Sequence, residues 1–199
     1  GSALLKKPEM FCRDGTSRPG NLFDYLSKKQ VEGAVEARDI LIALLNGIGH
    51  IWPDGEWLEN IPIGDAGHHS SLKRDDITNK IIPFHKLSQW MTYSLIEPLE
   101  EAEVRVINLD NLTGLPEYRN GGFFLDTKVL KTINSEDLLS AHQLKSSLVV
   151  EWRALTVALL DILADEVRFR TGDDAESLPL ASVLQGGTWS AGRRIASQL

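Results

Sequence analysis

Cysteine is almost absent from this sequence: among 199 residues only Cys12 represents it. A single thiol closes no internal disulfide, and no Cys/His pair has the spacing of a zinc site. The expectation that follows is a reducing, cytoplasmic setting. Long runs of Lys and Arg are missing too. With 21 basic against 28 acidic residues the formal net charge is −7. An acidic chain without a basic stripe has little with which to hold a phosphate backbone, so nucleic acid is not an expected partner. No apolar run reaches the roughly 18 residues of a membrane span, and no signal-peptide pattern is visible, so no membrane partner is expected. Walker loop, Rossmann fingerprint and Ser/Cys nucleophile motif are all lacking. Nothing has metal-ligand spacing, and neither a metal nor an organic cofactor is expected. Strand signals are thin, and there are no internal repeats.

What is present is ordinary globular material, 42% hydrophobic and 25% charged, with enough chain to bury one core. Gly1-Ser2 has the look of a cloning remnant. Residues 1–17 are expected to be that remnant with an N-terminal tail, and residues 18–199 a single helical domain. Asn21 is placed to cap a short helix over "LFDYLSKK", and a second helix spans Glu36 to Gly49, ended by its glycines. His50 to Asn79 reads as a long irregular loop. Pro83 suits the first turn of a helix running to about Glu101, with Phe84, Leu87, Met91, Leu95 and Leu99 as its core stripe and Pro98 kinking or ending it. "EVRVINL" reads as a short strand or extended chain. Ser146 to Arg170 is the longest helix, closed by Thr171-Gly172. Two short helices, Pro179 to Gln185 and Thr188 to Gln198, flank the turn "GGTW", whose Trp189 is expected in the core. The fold class predicted is mainly α.

Polar residues stand in unexpected company at three places. In "GLPEYRNGGFFL", Glu117, Tyr118, Arg119 and Asn120 precede Gly121-Gly122 and an apolar tail. This is either a solvated turn relieved by its glycines or one wall of a site. In "PFHKLSQWMTY", the face opposite the stripe carries His85, Lys86, Ser88, Gln89, Thr92 and Tyr93, a lone Lys among uncharged hydrogen-bonding groups. Such a face suits a wet pocket, a partner or an inter-helix polar network. In "VVEWRALTVALLD", Glu151 and Arg153 interrupt an otherwise apolar helix. Buried or half-buried charges there need partners, and two residues apart they reach different ones. A structural ion pair and a functional site both satisfy that need. His68-His69 are adjacent and cannot share a face, and "LNGIGH" faintly resembles the glycine hairpin of helix-hairpin-helix DNA binders.

The segments "RPGNLFDYL", "IPFHKLSQWMTYSLIEPLEEA", "LTGLPEYRNGGFFLDTKVL", "LVVEWRALTVALLDILA" and "LPLASVLQGGTWSAGRRIA" closely resemble the uracil-catabolism protein 4 family of fungi and bacteria. That resemblance implies the C-terminal half of a longer protein, with the N-terminal half of the same protein as its partner, and a role in uracil breakdown. More distantly, the order of motifs resembles the queuosine salvage nucleoside hydrolases, which implies a helical fold related to DNA glycosylases. "FHKLSQ" matches that family's Phe-x-Lys-x-x-Gln helix start at Lys86 and Gln89. "LTGLPEYR" matches its Leu-Thr turn at Glu117 and Arg119, with Glu where the pattern has Asp. "VVEWR" roughly matches its third motif at Glu151 and Arg153. The resemblance implies a hydrolase cleaving an N-glycosidic bond of a small ribosyl substrate, ribosylurea-like or a nucleotide intermediate. Glu117 and Lys86 would be catalytic, and His85, Gln89, Tyr118, Arg119, Asn120, Glu151 and Arg153 would bind substrate or support the pair. The alternative is a non-catalytic binding or regulatory half-domain.

Overall fold

The computed structural model describes residues 1–53 and 55–198. Asp54, inside the expected loop, and Leu199, the last residue of the expected domain, lie outside the described residues. In chain order the elements begin with α1 (Ser2–Leu5), α2 (Pro8–Phe11), β1 (Cys12–Arg13), β2 (Thr16–Ser17), α3 (Leu22–Ser27), β3 (Ala34–Glu36) and α4 (Ala37–Ile48). Then come β4 (Glu56–Leu58), β5 (Ile61–Gly64), β6 (Ala66–His68), β7 (Ile81–Pro83), α5 (Lys86–Glu101) and β8 (Arg105–Ile107). The remaining elements are α6 (Tyr118–Asp126), α7 (Ser147–Thr171), α8 (Leu180–Ser182) and α9 (Ser190–Ala196), the last two joined by a π-helical stretch, Val183–Trp189.

This architecture corrects the expectation of a mainly α, all-helical domain of the glycosylase-like helix-hairpin-helix kind. Among the described residues the strands pair into four two-stranded sheets. Three are antiparallel, and β3 runs parallel to β8 in the register Ala34↔Arg105 through Glu36↔Ile107. The supposed irregular loop contains the β4–β5 hairpin and β6. These strands are too short to display an alternation that separates strand from loop, and the β3–β8 pairing joins distant stretches of chain. Nor is "LNGIGH" a hairpin between helices. Gly47 lies inside α4, where an added Cβ would stand 3.0 Å from the Phe11 ring.

The chain divides into two compact units, the first made of Gly1–Asp65 and Leu87–Leu112. Its core gathers Phe11, Leu26, Val35, Ile40, Leu44, Leu99 and Val104. α4 contributes Ile40, Ala43, Leu44 and Gly47, buried at helical spacing on one face. Asn21 makes no side-chain cap on α3; its Nδ2 donates instead to the carbonyls of Phe11 at 2.7 Å and Thr16 at 3.0 Å. α5 ends at Glu101 as expected, with Pro98 inside it, but it starts at Lys86 because Pro83 is used by β7, paired with Ala66. Of the expected apolar stripe, Phe84 and Leu99 are buried and Met91 and Leu95 pack against a core, while Leu87 is exposed; Ser88, Gln89 and Thr92 are buried as well. Ser88 Oγ accepts from Trp52 Nε1 at 3.0 Å, and Thr92 Oγ1 donates to the Ser88 carbonyl at 2.9 Å. Of the readings open for this face, a buried polar network describes Ser88 and Thr92, whereas the Oε1 of buried Gln89 has no hydrogen-bond partner among the described residues.

The second unit comprises Ala66–Lys86 and Thr113–Leu199. α7 follows its sequence signals closely: Ser146 Oγ accepts from the Val149 N–H at 3.4 Å, and Gly172 closes the helix at φ 79°. Its inward face carries Val150, Arg153, Thr156, Leu160 and Ala164. Leu160 and Ala164 join Phe124, Leu180, Val183 and Leu184 in the core. The predicted turn at Gly121-Gly122 is instead the interior of α6. A Cβ on Gly121 would meet the Trp152 indole at 2.7 Å, so this glycine serves close packing, not chain reversal. Likewise, "GGTW" does not break the last helices apart: helical backbone continues from α8 through the π-helical stretch into α9.

Candidate functional site

Glu117 is the N-cap residue of α6, with extended backbone (φ −76°, ψ 143°) and a carbonyl that accepts from the Gly121 N–H at 2.9 Å. Its side chain makes no capping bond, which leaves the carboxylate for a partner. That partner is Lys86, whose Nζ lies 2.9 Å from Glu117 Oε1. The two side chains are 27% and 25% exposed, shielded from water yet still reachable. The residue before Lys86, His85, adopts φ 47°, a left-handed conformation that non-glycine residues avoid and that concentrates at functional sites. The chain turns there from β7 into α5, so the strained joint aims Lys86. A carboxylate at a helix N-terminus, beside an ammonium group, can take a proton from water or stabilise a developing cation.

The two charges of α7 part company. Arg153 is 8% exposed, and its guanidinium lies over the Phe84 ring at 4.0 Å, a stacking that suits the weakly hydrated Arg head. Glu151 is the more open of the two. It faces His69, with Nε2–Oε2 at 3.7 Å, and its side chain is 54% exposed. His69, set aside with His68 on sequence grounds, is held from behind by the Ser71 N–H donating to its Nδ1 at 3.3 Å. The β6–β7 hairpin and the residues following it thus gather the anomalies: His69 meets Glu151, Phe84 meets Arg153, and Lys86 meets Glu117. Gly67 makes this docking possible, since a Cβ there would stand 2.7 Å from Val150 of α7.

The other expected site residues have separate surroundings. Asn120 is buried, its Nδ2 donating to the Leu115 carbonyl at 3.1 Å and its Oδ1 accepting from Thr188 Oγ1 at 3.0 Å. Tyr118 is 62% exposed, with the Arg119 guanidinium 5.0 Å from its ring centre. Trp189, expected in the core, is 40% exposed because the π-helical stretch buries Thr188 instead. Gln89 belongs to the first unit, where it is buried.

A cavity of about 680 Å³ lies against the start of α7, lined by Ile133, Leu138, Leu144, Leu148, Trp152 and Leu155, with Glu151 and His142 among its polar groups. Its size and apolar walls are those of a small-molecule pocket, and its lining includes neither Lys86 nor Glu117. Residues 127–146 carry no periodic signal, so nothing in the sequence announces it. Among the described residues no three His, Cys, Asp or Glu side chains gather as a metal site. No helix among them is long and apolar enough to cross a membrane.

"Uracil catabolism protein 4" of Lachancea kluyveri is 35% identical over 223 residues, covering 99% of this chain and 50% of its own length. "Protein urg3" of Schizosaccharomyces pombe is 43% identical over 151 residues, covering 75% of this chain and 36% of its own. The chain therefore spans half or less of the length of these curated relatives. No solved structure matches it significantly. The model of the family described as "Protein of unknown function (DUF1688)" matches residues 1–199, and the chain belongs to that family, the uracil catabolism protein 4 family that its motifs resemble.

Proposed function

We propose that this chain acts in uracil catabolism by hydrolysing the N-ribosyl bond of a small substrate, ribosylurea or a close relative with or without a 5′-phosphate. The observation that carries this reading is the 2.9 Å pairing of Lys86 with Glu117, three-quarters shielded from water at the start of α6. The name of the relative from Lachancea kluyveri suggests the pathway. In the reaction the oxygen of a water molecule bonds to the anomeric carbon as the carbon–nitrogen bond breaks. The electron pair of that bond goes to the nitrogen, which takes a proton from solvent. Glu117 accepts the proton from the attacking water and stabilises the positive charge that develops on the sugar. Lys86 positions the carboxylate and donates to a ribose hydroxyl.

Product analysis with ribosylurea and its 5′-phosphate tests the mechanism. Glu117→Gln should lower turnover by about a hundredfold or more while the melting temperature stays near that of the parent. Undiminished turnover in that variant would remove Glu117 from the chemistry. A second reading is favoured by length, since the chain spans only 50% of the Lachancea kluyveri relative. In that reading it is a binding half that acts only with the remainder. Thermal stabilisation by ribosylurea or ribose 5-phosphate in a protein of the relatives' full length, with none in this chain, would select it.

A further inference from the structure

We propose that the face shared by α6 and α9 binds the phosphate of a nucleoside monophosphate, gripped by Arg119 and Arg193 beside Trp189. This goes beyond the reading of Glu117 and does not depend on it. The guanidinium groups of Arg119 and Arg193 lie 5.8 and 5.4 Å from the Trp189 ring centre, and Arg119 is also 5.0 Å from that of Tyr118. Neither arginine has a carboxylate partner among the described residues, in a chain whose acidic residues outnumber its basic ones 28 to 21. A guanidinium stacked on an aromatic face keeps its N–H edge free, and that edge matches the oxygens of a phosphate. Tyr118 and Trp189 remain 62% and 40% exposed, which leaves flat surface for a base to stack on.

The surrounding backbone is built to hold this face open. Gly192 brings α9 against α6 so closely that a Cβ there would stand 2.6 Å from the Arg119 carbonyl oxygen. Beneath, Asn120 ties the Leu115 carbonyl to the Thr188 hydroxyl, so the arginines and Trp189 are held in register from the core side. Gly122, Gly186 and Gly187 have a different character. An added Cβ at any of them would meet nothing within 4 Å, and none has positive φ. Neither packing nor conformation requires these glycines, although each weakens a helical segment by about 1 kcal/mol relative to Ala. Gly122 follows Arg119 by three residues, and Gly186 precedes Trp189 by three. Their bareness clears the surface on both sides of the stacked group. A π-helical turn at this point is a further mark of function.

Calorimetric titration of the 199-residue chain with uridine 5′-monophosphate, ribose 5-phosphate, inorganic phosphate and uridine tests the proposal. The nucleotide should bind most tightly and the two smaller phosphates more weakly, while uridine should fail to saturate. Arg119→Ala and Arg193→Ala should each weaken nucleotide binding by about tenfold or more. Arg193 is on the exposed face of α9, so its variant keeps the test sound if Arg119→Ala impairs folding. Gly186→Leu should also weaken binding, and Arg13→Ala, at an exposed arginine paired with Asp24, should leave it unchanged. Uridine binding as tightly as its monophosphate, parental affinity in Arg193→Ala, no binding by any phosphate, or loss of binding in Arg13→Ala would each overturn the assignment.

Discussion

Ser88, Gln89 and Thr92 in the first unit and Arg153, Lys86 and Glu117 in the second are all polar side chains withdrawn from water, but they are withdrawn for different ends. The first three are uncharged. Ser88 and Thr92 bond to Trp52 and to the helix's own backbone, and such neutral pairs tolerate full burial because little solvation is lost. The second group carries full charges, and two of its three members stay a quarter exposed. Full burial is reserved for Arg153, whose delocalised cation rests on the Phe84 ring. Charges kept at partial exposure retain part of their solvation while meeting a defined partner. Buried neutral groups are suited to holding a helix in place. α5 begins on one side of this division, at Lys86, and continues on the other.

Arg153→Ala offers the harshest test of that contrast. Losing the stacked cation and its buried stem should reduce stability by about 2–4 kcal/mol, read from the denaturation midpoint. A loss as small as that of an exposed charge would erase the distinction. Ser88→Ala should have a milder effect, about 1–2 kcal/mol, because it leaves the Trp52 indole N–H without its acceptor. A loss equal to that of Arg153→Ala would mean that neutral and charged burial contribute alike. Smallest is the effect at Asp174, an exposed carboxylate held below its ordinary pKa by the backbone N–H and side chain of Ser177 and by the Glu176 N–H. A depressed carboxylate stabilises fully above its unfolded value and loses that contribution as pH falls through its folded value. Stability from Asp174 should therefore persist down to about pH 4 and fade below it, and a carboxyl titration by NMR that shows no depression would contradict this.

Several boundaries were legible because a single residue's chemistry sets them. Ser146 and Gly172 bracket α7 through local caps that need no tertiary help, whereas Gly49 follows α4 with right-handed backbone and leads into a further helical turn. Lys86 and Glu117 stand out in the sequence as polar residues in apolar company, but their 2.9 Å pairing is a tertiary fact. Other features were hidden by ambiguity of residue type. Pro83 fits a helix's first turn and a strand edge equally well, and pairing with Ala66 decided for the strand. Gly121-Gly122 looks like a turn by composition, and only the Trp152 indole explains why a helix tolerates the first of them. His69 carried no signal because its partner Glu151 is distant in the chain.

The sequence by itself determined where charge and apolar periodicity conflict: at Glu117, Lys86, Glu151 and Arg153, and on the polar face of α5. It also determined the long helix and its ends. Those properties depend on interactions within a few residues, which composition and spacing record directly. Tertiary structure alone decided which charge finds which partner, that Arg153 is buried while Glu151 is not, and that two arginines share the Trp189 ring. It also decided the β3–β8 pairing. The physical reason is range. Hydrogen-bond ladders between short strands, cation stacking and glycine contacts all join residues far apart in the chain, and their energies depend on distances that no local pattern encodes.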